Sequence, residues 1–374
     1  MRRPGADSAA GDERRAFAGC SRGRVLEDVI TIGEGDTPLV SARNLAKHVG
    51  IDDLLIKYEG ANPTGTFKDR CMSVAVTKVL YLGGKGVVLG SAGNAGSSAA
   101  AYSAKAGLAC YVFVPATTPS ERVIQTIMYG GKVILVKGTV NDCIDLIASI
   151  QDRYGWHNVT TAGCYNPYQT EGPKTIGYEI ARDMGWQVPD WIFAPVGGGG
   201  LLASIWKAYG ELCDLGVVKG LPKMVGVQAA GCAPLVRAFQ KAADPRDIET
   251  WGEPCTIAAA IGDPYPLDGE MALKAIYSSG GCAVSVSHEE IIRSQRLLAE
   301  REGIFAEPAS STTIAALVRL VQEGRISKGT RVVCLASGTG LKDVRLAGQG
   351  LKAPPAIDRK GKGLEEALKV YQDE

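Results

Sequence analysis

The sequence predicts an α/β protein built from two open parallel sheets, each covered by helices on both faces. Short apolar runs alternate with segments of helical period from residue 54 to residue 335, and strands that alternate with helices join by right-handed crossovers into parallel sheets. Apolar residues make up 45% of the 374, enough for a large core. Glycine is 47 of the 374 residues, about 13% against a usual share near 7%, with no collagen-like period. The excess therefore serves tight turns and close backbone approach.

Along the chain, Leu54–Tyr58 reads as a strand and Phe67–Leu82 as a helix, with Phe67, Cys71, Val74, Ala75 and Lys78 on one face. Strand Gly86–Leu89, helix Asn94–Ala106, strand Ala109–Val114 and helix Ser120–Tyr129 follow, then strand Val133–Val136, helix Asn141–Tyr154 and a short strand near Val159. Helix Pro173–Met184 leads into strand Trp191–Pro195, helix Leu201–Leu212 and strand Met224–Gln228. Helices Glu289–Glu302 and Ser311–Glu323 precede strand Arg331–Leu335. The densest run, 85–165, reads as four strand–helix pairs and predicts a small mobile domain inserted into a large discontinuous one, 25–84 plus 166–352. Residues 1–24 read as a loose arm, and 353–374 as a tail with a short helix at Leu364–Tyr371.

Charge narrows the partners. Lys plus Arg is 41 and Asp plus Glu is 40, a net +1, which offers no field to hold nucleic acid or an anionic membrane. The uncharged stretch Gly86–Ala104 is rich in Gly, Ser, Ala and Asn rather than Leu and Ile and fails as a membrane span. Met1-Arg2-Arg3-Pro4 is followed by no apolar core, so no secretory signal is read there. Ten scattered cysteines without Cys-x-x-Cys, and only His48, His157 and His288, predict reduced thiols, a cytoplasmic setting and no metal site.

Four segments carry possible chemistry. The first is Glu59-Gly60-Ala61-Asn62-Pro63-Thr64-Gly65-Thr66-Phe67-Lys68-Asp69-Arg70. It approaches a phosphate loop, but Thr66 stands where that motif needs Lys. What remains is an amine in a first helical turn, where the dipole and partial burial disfavour an ammonium. An uncharged lysine there can form a Schiff base with a carbonyl. A lone lysine is more often a solvated surface group. The second, Ser91-Ala92-Gly93-Asn94-Ala95-Gly96-Ser97, places small residues between strand and helix, which suits an anion or equally an Asn N-cap.

The third, Val196-Gly197-Gly198-Gly199-Gly200-Leu201-Leu202-Ala203, leaves bare N–H groups facing one point and suits a phosphate. Its rival is a dinucleotide fingerprint, Gly198-x-Gly200-x-x-Ala203, but the next strand, Met224 to Ala230, ends in no acid for a ribose. The fourth, Ala336-Ser337-Gly338-Thr339-Gly340-Leu341-Lys342-Asp343, closes the last strand. All four sit at predicted carboxyl ends of strands, the edge where open parallel sheets bind ligands. A lysine nucleophile, an anion loop, a phosphate loop and a hydroxyl together describe a site for pyridoxal 5'-phosphate. Each alone would be unremarkable structure; the coincidence of four is not.

From Ile32 to Asp343 the chain resembles the fold-type II pyridoxal-phosphate enzymes, the family of tryptophan synthase β, cysteine synthase and threonine synthase. Tyr58 to Arg70 is close to the threonine synthase signature, and Gly35-Asp36-Thr37-Pro38-Leu39, Glu307-Pro308-Ala309-Ser310 and Gly340-Leu341-Lys342-Asp343 also match. The resemblance implies two sheet domains with the cofactor in the cleft between them, and a homodimer. It implies that Lys68 holds the cofactor as a Schiff base and shuttles protons, with Phe67 beside it. Asn94 would meet the ring oxygen, Gly197, Gly198, Gly199, Gly200 and Leu201 the phosphate, and Ser337 the ring nitrogen. Ser91, Ala92, Asn94, Ala95, Asn166 and Gln169 would line the amino-acid substrate. Glu307 lies near the cofactor in relatives, with a structural role equally open.

This chain departs from threonine synthases where they read Ser-Thr-Gly-Asn-Thr, carry Arg at the position of Gln169 and His at that of Thr339, and place Asn in the all-Gly loop. Ala95 and Gln169 fall where that family grips the substrate phosphate, and replacing Arg by Gln removes a contact worth about 1.5–3 kcal/mol. Lys174 or Arg122 could restore the charge. The resemblance implies a lyase turning O-phosphohomoserine and water into threonine and phosphate. A serine/threonine dehydratase and a β-replacement synthase of the cysteine or cysteate type share its early steps, and a catalytically idle binding protein of the same fold is the non-enzymatic rival.

Overall fold

A computed structural model describes residues 29–348, 354–359 and 364–372. The strands are β1 (Leu39–Ser41), β2 (Asp53–Tyr58), β3 (Gly86–Gly90), β4 (Ala109–Pro115), β5 (Lys132–Val136), β6 (His157–Asn158), β7 (Trp191–Pro195), β8 (Lys223–Ala229), β9 (Cys282–Val286) and β10 (Arg331–Ala336). The helices are α1 (Arg43–Val49), α2 (Lys68–Tyr81), α3 (Asn94–Ala106), α4 (Glu121–Met128), α5 (Val140–Tyr154), α6 (Glu171–Asp183), α7 (Gly200–Asp214), α8 (Pro234–Gln240), α9 (Gly269–Ser278), α10 (His288–Glu302) and α11 (Pro308–Gln322). The chain divides at Lys342 into a large unit and a second one, Asp343–Glu374, whose described residues include α12 (Val344–Ala347) and α13 (Leu364–Gln372).

One sheet runs β1-β2-β10-β7-β8-β9 and the other β5-β4-β3-β6. All pairings are parallel except β1 with β2, which is antiparallel and departs from the all-parallel expectation. Helices cover both faces, so strand residues alternate between two cores. On β10, Val332 and Cys334 enter one cluster while Val333 and Leu335 enter the other. On β3, Val87 and Leu89 pack towards α2 and α3, and Val88 packs with Cys143 and Ile147 of α5. Capping boxes start α5 (Thr139 with Asp142) and α10 (Ser287 with Glu290).

Three corrections apply. Within 85–165 there are four strands but three helices, because the last strand is followed by a turn and a 3-10 segment, Pro167–Thr170. Elements α1, α8, α9, β1 and β9 were not anticipated. The α2 face is also broader than its apolar spacing implied: Asp69, Arg70, Met72, Val76 and Val79 are buried as well as Cys71 and Ala75, while Val74 and Lys78 are half-buried. The expected arm, 1–24, lies outside the described residues.

The start of α2 is fixed by four buried charges: Lys57, Glu59, Arg70 and Glu179. Arg70 Nε donates to Glu59 Oε2 at 2.7 Å and its Nη2 to Glu179 Oε2 at 2.7 Å, while Lys57 Nζ donates to Glu179 Oε2 at 2.6 Å. Thr37 Oγ1 closes the group on Glu59 Oε1 at 2.6 Å. Two cations and two anions balance, which is what makes burial tolerable. Burial pushes the Glu179 carboxyl up, but Arg70 and Lys57 outweigh it and hold it well below the ordinary carboxylate range.

A depressed carboxylate contributes stability that is complete above its unfolded value and is lost as pH falls through its folded value. For Glu179 that window runs downward from 4.5 to about 2. Glu179→Gln strands two buried cations and is expected to cost about 3–5 kcal/mol in urea unfolding at neutral pH. The gap to the parent protein should shrink as pH drops through the window. An unchanged urea midpoint would refute this role.

Candidate active site

Strands β2, β10 and β7 are parallel and neighbouring, so the loops leaving their carboxyl ends meet at one edge. The loop after β2 is zipped to the loop after β10: Phe67 N–H donates to Ser337 O at 3.0 Å, Thr339 N–H to Gly65 O at 2.9 Å, and Thr66 bridges Gly338. Gly65 takes φ +83°, a conformation that favours glycine, with a Cβ position only 2.7 Å from Thr339 Cγ2. Lys68, the first residue of α2, is thus held at the sheet edge. Its Nζ donates to Thr161 Oγ1 at 3.0 Å and stands 4.7 Å from the Phe67 ring centre. Asp69 anchors the turn, its carboxylate accepting from Thr64 N–H at 2.7 Å and from Ser98 of α3 at 2.6 Å.

Glu307 joins the two sheets. Its carboxylate accepts from Asn94 Nδ2 at 2.9 Å and from Ser337 Oγ at 3.3 Å, and Ser337 Oγ lies 3.1 Å from Ser310 Oγ. A Cβ on Gly338 would sit 2.7 Å from Glu307 Oε1, so this approach requires glycine. Burial pushes the Glu307 carboxyl up, opposed by Asn94, Lys342 and Arg122. Asn94 opens α3, and the cap position is Gly93, not Asn94. Ser91 Oγ accepts from Gly96 N–H at 3.2 Å and Gly93 N–H at 3.4 Å. Among the described residues nothing accepts from the N–H groups of Asn94 and Ala95.

Arg122 and Lys342 bring positive charge here. A Cβ on Gly93 would lie 3.2 Å from Arg122 Nη2, and the Arg122 side chain makes no hydrogen bond or ion pair among the described residues. Lys342 Nζ donates to Ser97 Oγ at 3.0 Å and Gln125 Oε1 at 2.9 Å. Burial brings its amine down to about 8, against Glu307 and Asp69, which favour the charged form. Lys174 does not share this place: it pairs with Glu171 and Glu211 on α6 and α7. Asn166 and Gln169 are buried on the loop that follows Thr161, and their side chains make no hydrogen bond to Lys68, Asn94 or Ser91.

Gly197 to Gly200 lead into α7, a helix of 15 residues. No acceptor among the described residues takes up the N–H groups of Gly198, Gly199, Gly200 or Leu201. Gly199 has φ +99°, and its Cβ would lie 2.7 Å from Asp268 O. Added side chains at Gly197 and Gly200 would meet Asp263 Oδ2 and Asp268 Oδ2, each at 2.7 Å. Bare N–H groups at a helix start, with no room for side chains, fit a phosphate. With Lys68 facing the same edge, the site fits pyridoxal 5'-phosphate.

Thr161, Asp263 and Asp268 were missed by sequence reasoning; all three reach the site from loops without local pattern. Lys342 lay in a recognised motif, but nothing in that motif marked its amine. No cluster of three or more His, Cys, Asp or Glu among the described residues could hold a metal ion. No helix among them is long and apolar enough to cross a membrane.

Residues 30–338 match the family described as "Pyridoxal-phosphate dependent enzyme". The chain belongs to that family. Its relatives include the threonine synthase of Methanocaldococcus jannaschii, 43% identical over 342 residues that cover 91% of this chain and 83% of that protein. The threonine synthase of Mycobacterium tuberculosis is 39% identical over 329 residues, covering 88% and 87%. Among solved structures, threonine deaminase isoform 2 of Solanum lycopersicum superposes with a TM-score of 0.73 at 21% identity, covering 94% of this chain and 96% of that one, a likeness of fold.

The glycine cradle predicts that Gly199→Ala strains the backbone and presses on the Asp268 carbonyl. Strain of this kind costs about 1–3 kcal/mol, so pyridoxal phosphate affinity should fall about tenfold. Absorbance titration of the apoprotein reads it; unchanged affinity would refute the cradle.

Proposed function

We propose that this enzyme converts O-phosphohomoserine and water to threonine and inorganic phosphate. The observation that carries the reading is the identity with threonine synthases over about nine-tenths of the chain, together with a lysine positioned at the head of α2 opposite a phosphate-shaped glycine loop.

When bound, pyridoxal phosphate supplies an electron-withdrawing ring that stabilises negative charge at the substrate's Cα. The N–H groups of Gly198 to Leu201 would hold its phosphate. Ser337 and Asn94, both tied to Glu307, would offer its ring neutral groups, a hydroxyl and an amide. Lys68 would hold it through its amine and would carry the proton at the substrate's Cα. Thr161 Oγ1 orients the Lys68 amine. The N–H groups of Asn94 and Ala95, with the Ser91 hydroxyl, bind the substrate carboxylate. Arg122 and Lys342 supply positive charge to the phosphate leaving group, which Ala95 and Gln169 do not. Residues 85–165, which carry the Ser91–Ser97 loop on the β5-β4-β3-β6 sheet, close over the substrate and exclude water until the leaving group has gone.

Incubation of the loaded enzyme with O-phosphohomoserine should give threonine and phosphate in equal amounts. Ammonia and a 2-oxo acid from serine or threonine, without phosphate release, would establish the dehydratase reading instead. Arg122→Ala should raise KM for O-phosphohomoserine about tenfold, the loss of one charge-assisted contact, with kcat changed far less. An unchanged KM would remove Arg122 from the substrate site.

A further inference from the structure

Asp268 is buried, at 3% exposure, immediately before α9. Its backbone N–H donates to Gly198 O at 2.7 Å, so it is fastened to the glycine loop. Its Oδ1 accepts from Gly163 N–H at 2.7 Å, which fixes the carboxyl orientation. Its Oδ2 is buried with no hydrogen-bond partner among the described residues and lies 2.7 Å from where a Cβ on Gly200 would be. A buried polar atom left unpaired is costly, and one aimed at a ligand-shaped loop calls for a ligand.

We propose that Asp268 stays protonated in the loaded enzyme and donates its Oδ2–H to an oxygen of the cofactor phosphate, completing the cradle of backbone N–H groups. An ionised carboxylate at this place would repel a phosphate; a neutral one binds it. Burial favours the neutral acid, opposed by the Gly163 N–H and the Lys68 charge. The groups that act on Asp268 are Lys68 and Cys71 from α2 and Cys164 from the loop beside Gly163; Asp263 faces the opposite end of the glycine loop. Nothing in the sequence around Asp268 marks this role. The inference rests on the cofactor alone, so failure to form threonine would leave it standing.

The test compares the affinity of the apoprotein for pyridoxal 5'-phosphate and for pyridoxal, which lacks the phosphate, between pH 6 and 9. Asp268→Asn keeps an acceptor for Gly163 and a donor towards the phosphate. It should bind pyridoxal phosphate within about threefold of the parent near pH 6, because a neutral donor is retained. Loss of the Asp268 proton at any pH in this range should lower parent affinity relative to the Asn variant, which has no proton to lose there. Asp268→Ala should weaken pyridoxal phosphate about tenfold or more and leave pyridoxal nearly unchanged. The idea is overturned if Asp268→Asn binds pyridoxal phosphate tenfold tighter than the parent at every pH, the mark of a resident negative charge. Equal weakening of both compounds by Asp268→Ala, the mark of a purely structural residue, overturns it as well.

Discussion

Four charges sealed beneath the first turn of α2 decide where one amine stands. Arg70 follows Lys68 by two residues and is held by Glu59 and Glu179, while Lys57 completes the balance from β2. Charges taken out of water tolerate little displacement, since any loosening leaves an ion unpaired in a poor solvent. The segment Gly35–Thr37 is drawn into the same group through Asp36 N–H on Glu179 and Thr37 Oγ1 on Glu59. The first turn of α2 is therefore anchored beneath Lys68, whose amine reaches Thr161 Oγ1.

The second constraint is topological. Neighbouring parallel strands must discharge their loops at one edge, so β2, β10 and β7 bring the lysine turn, Ser337 and the glycine loop together without any one contact having to choose them. The other sheet sends two loops to this place: Ser91–Ser97, tied by the Asn94–Glu307 hydrogen bond, and the turn after β6, where Thr161 accepts from Lys68 and Gly163 donates to Asp268. Lys342 on Ser97 and Ser98 on Asp69 are further ties between the sheets. These polar links stand beside a separate apolar core on each sheet.

Much of this was legible in the sequence because buried parallel strands are written as unbroken apolar runs. Gly86–Gly90 and Trp191–Pro195 end in small or cyclic residues, and the loops that follow are unusually bare. The unread elements are those whose reason lies elsewhere in the chain. Strand β9 follows Gly281, whose Cβ position is 1.9 Å from the Met224 carbonyl. Only the neighbouring strand explains that glycine. β1 has three residues and α8 seven, too short to carry a period. In the site, residues on strand-end loops could be found by pattern. Thr161 and Asp268 could not, because their partners lie 93 and 105 positions away.

The account stands on the identity of one nucleophile. Borohydride reduction of the protein after loading with pyridoxal 5'-phosphate, followed by peptide mass analysis, reads it directly. A single stable adduct on the peptide that contains Lys68, absent when that lysine is alanine, is the expected result. Adduct formation on another lysine, or none on a protein that has taken up the vitamer, would contradict it.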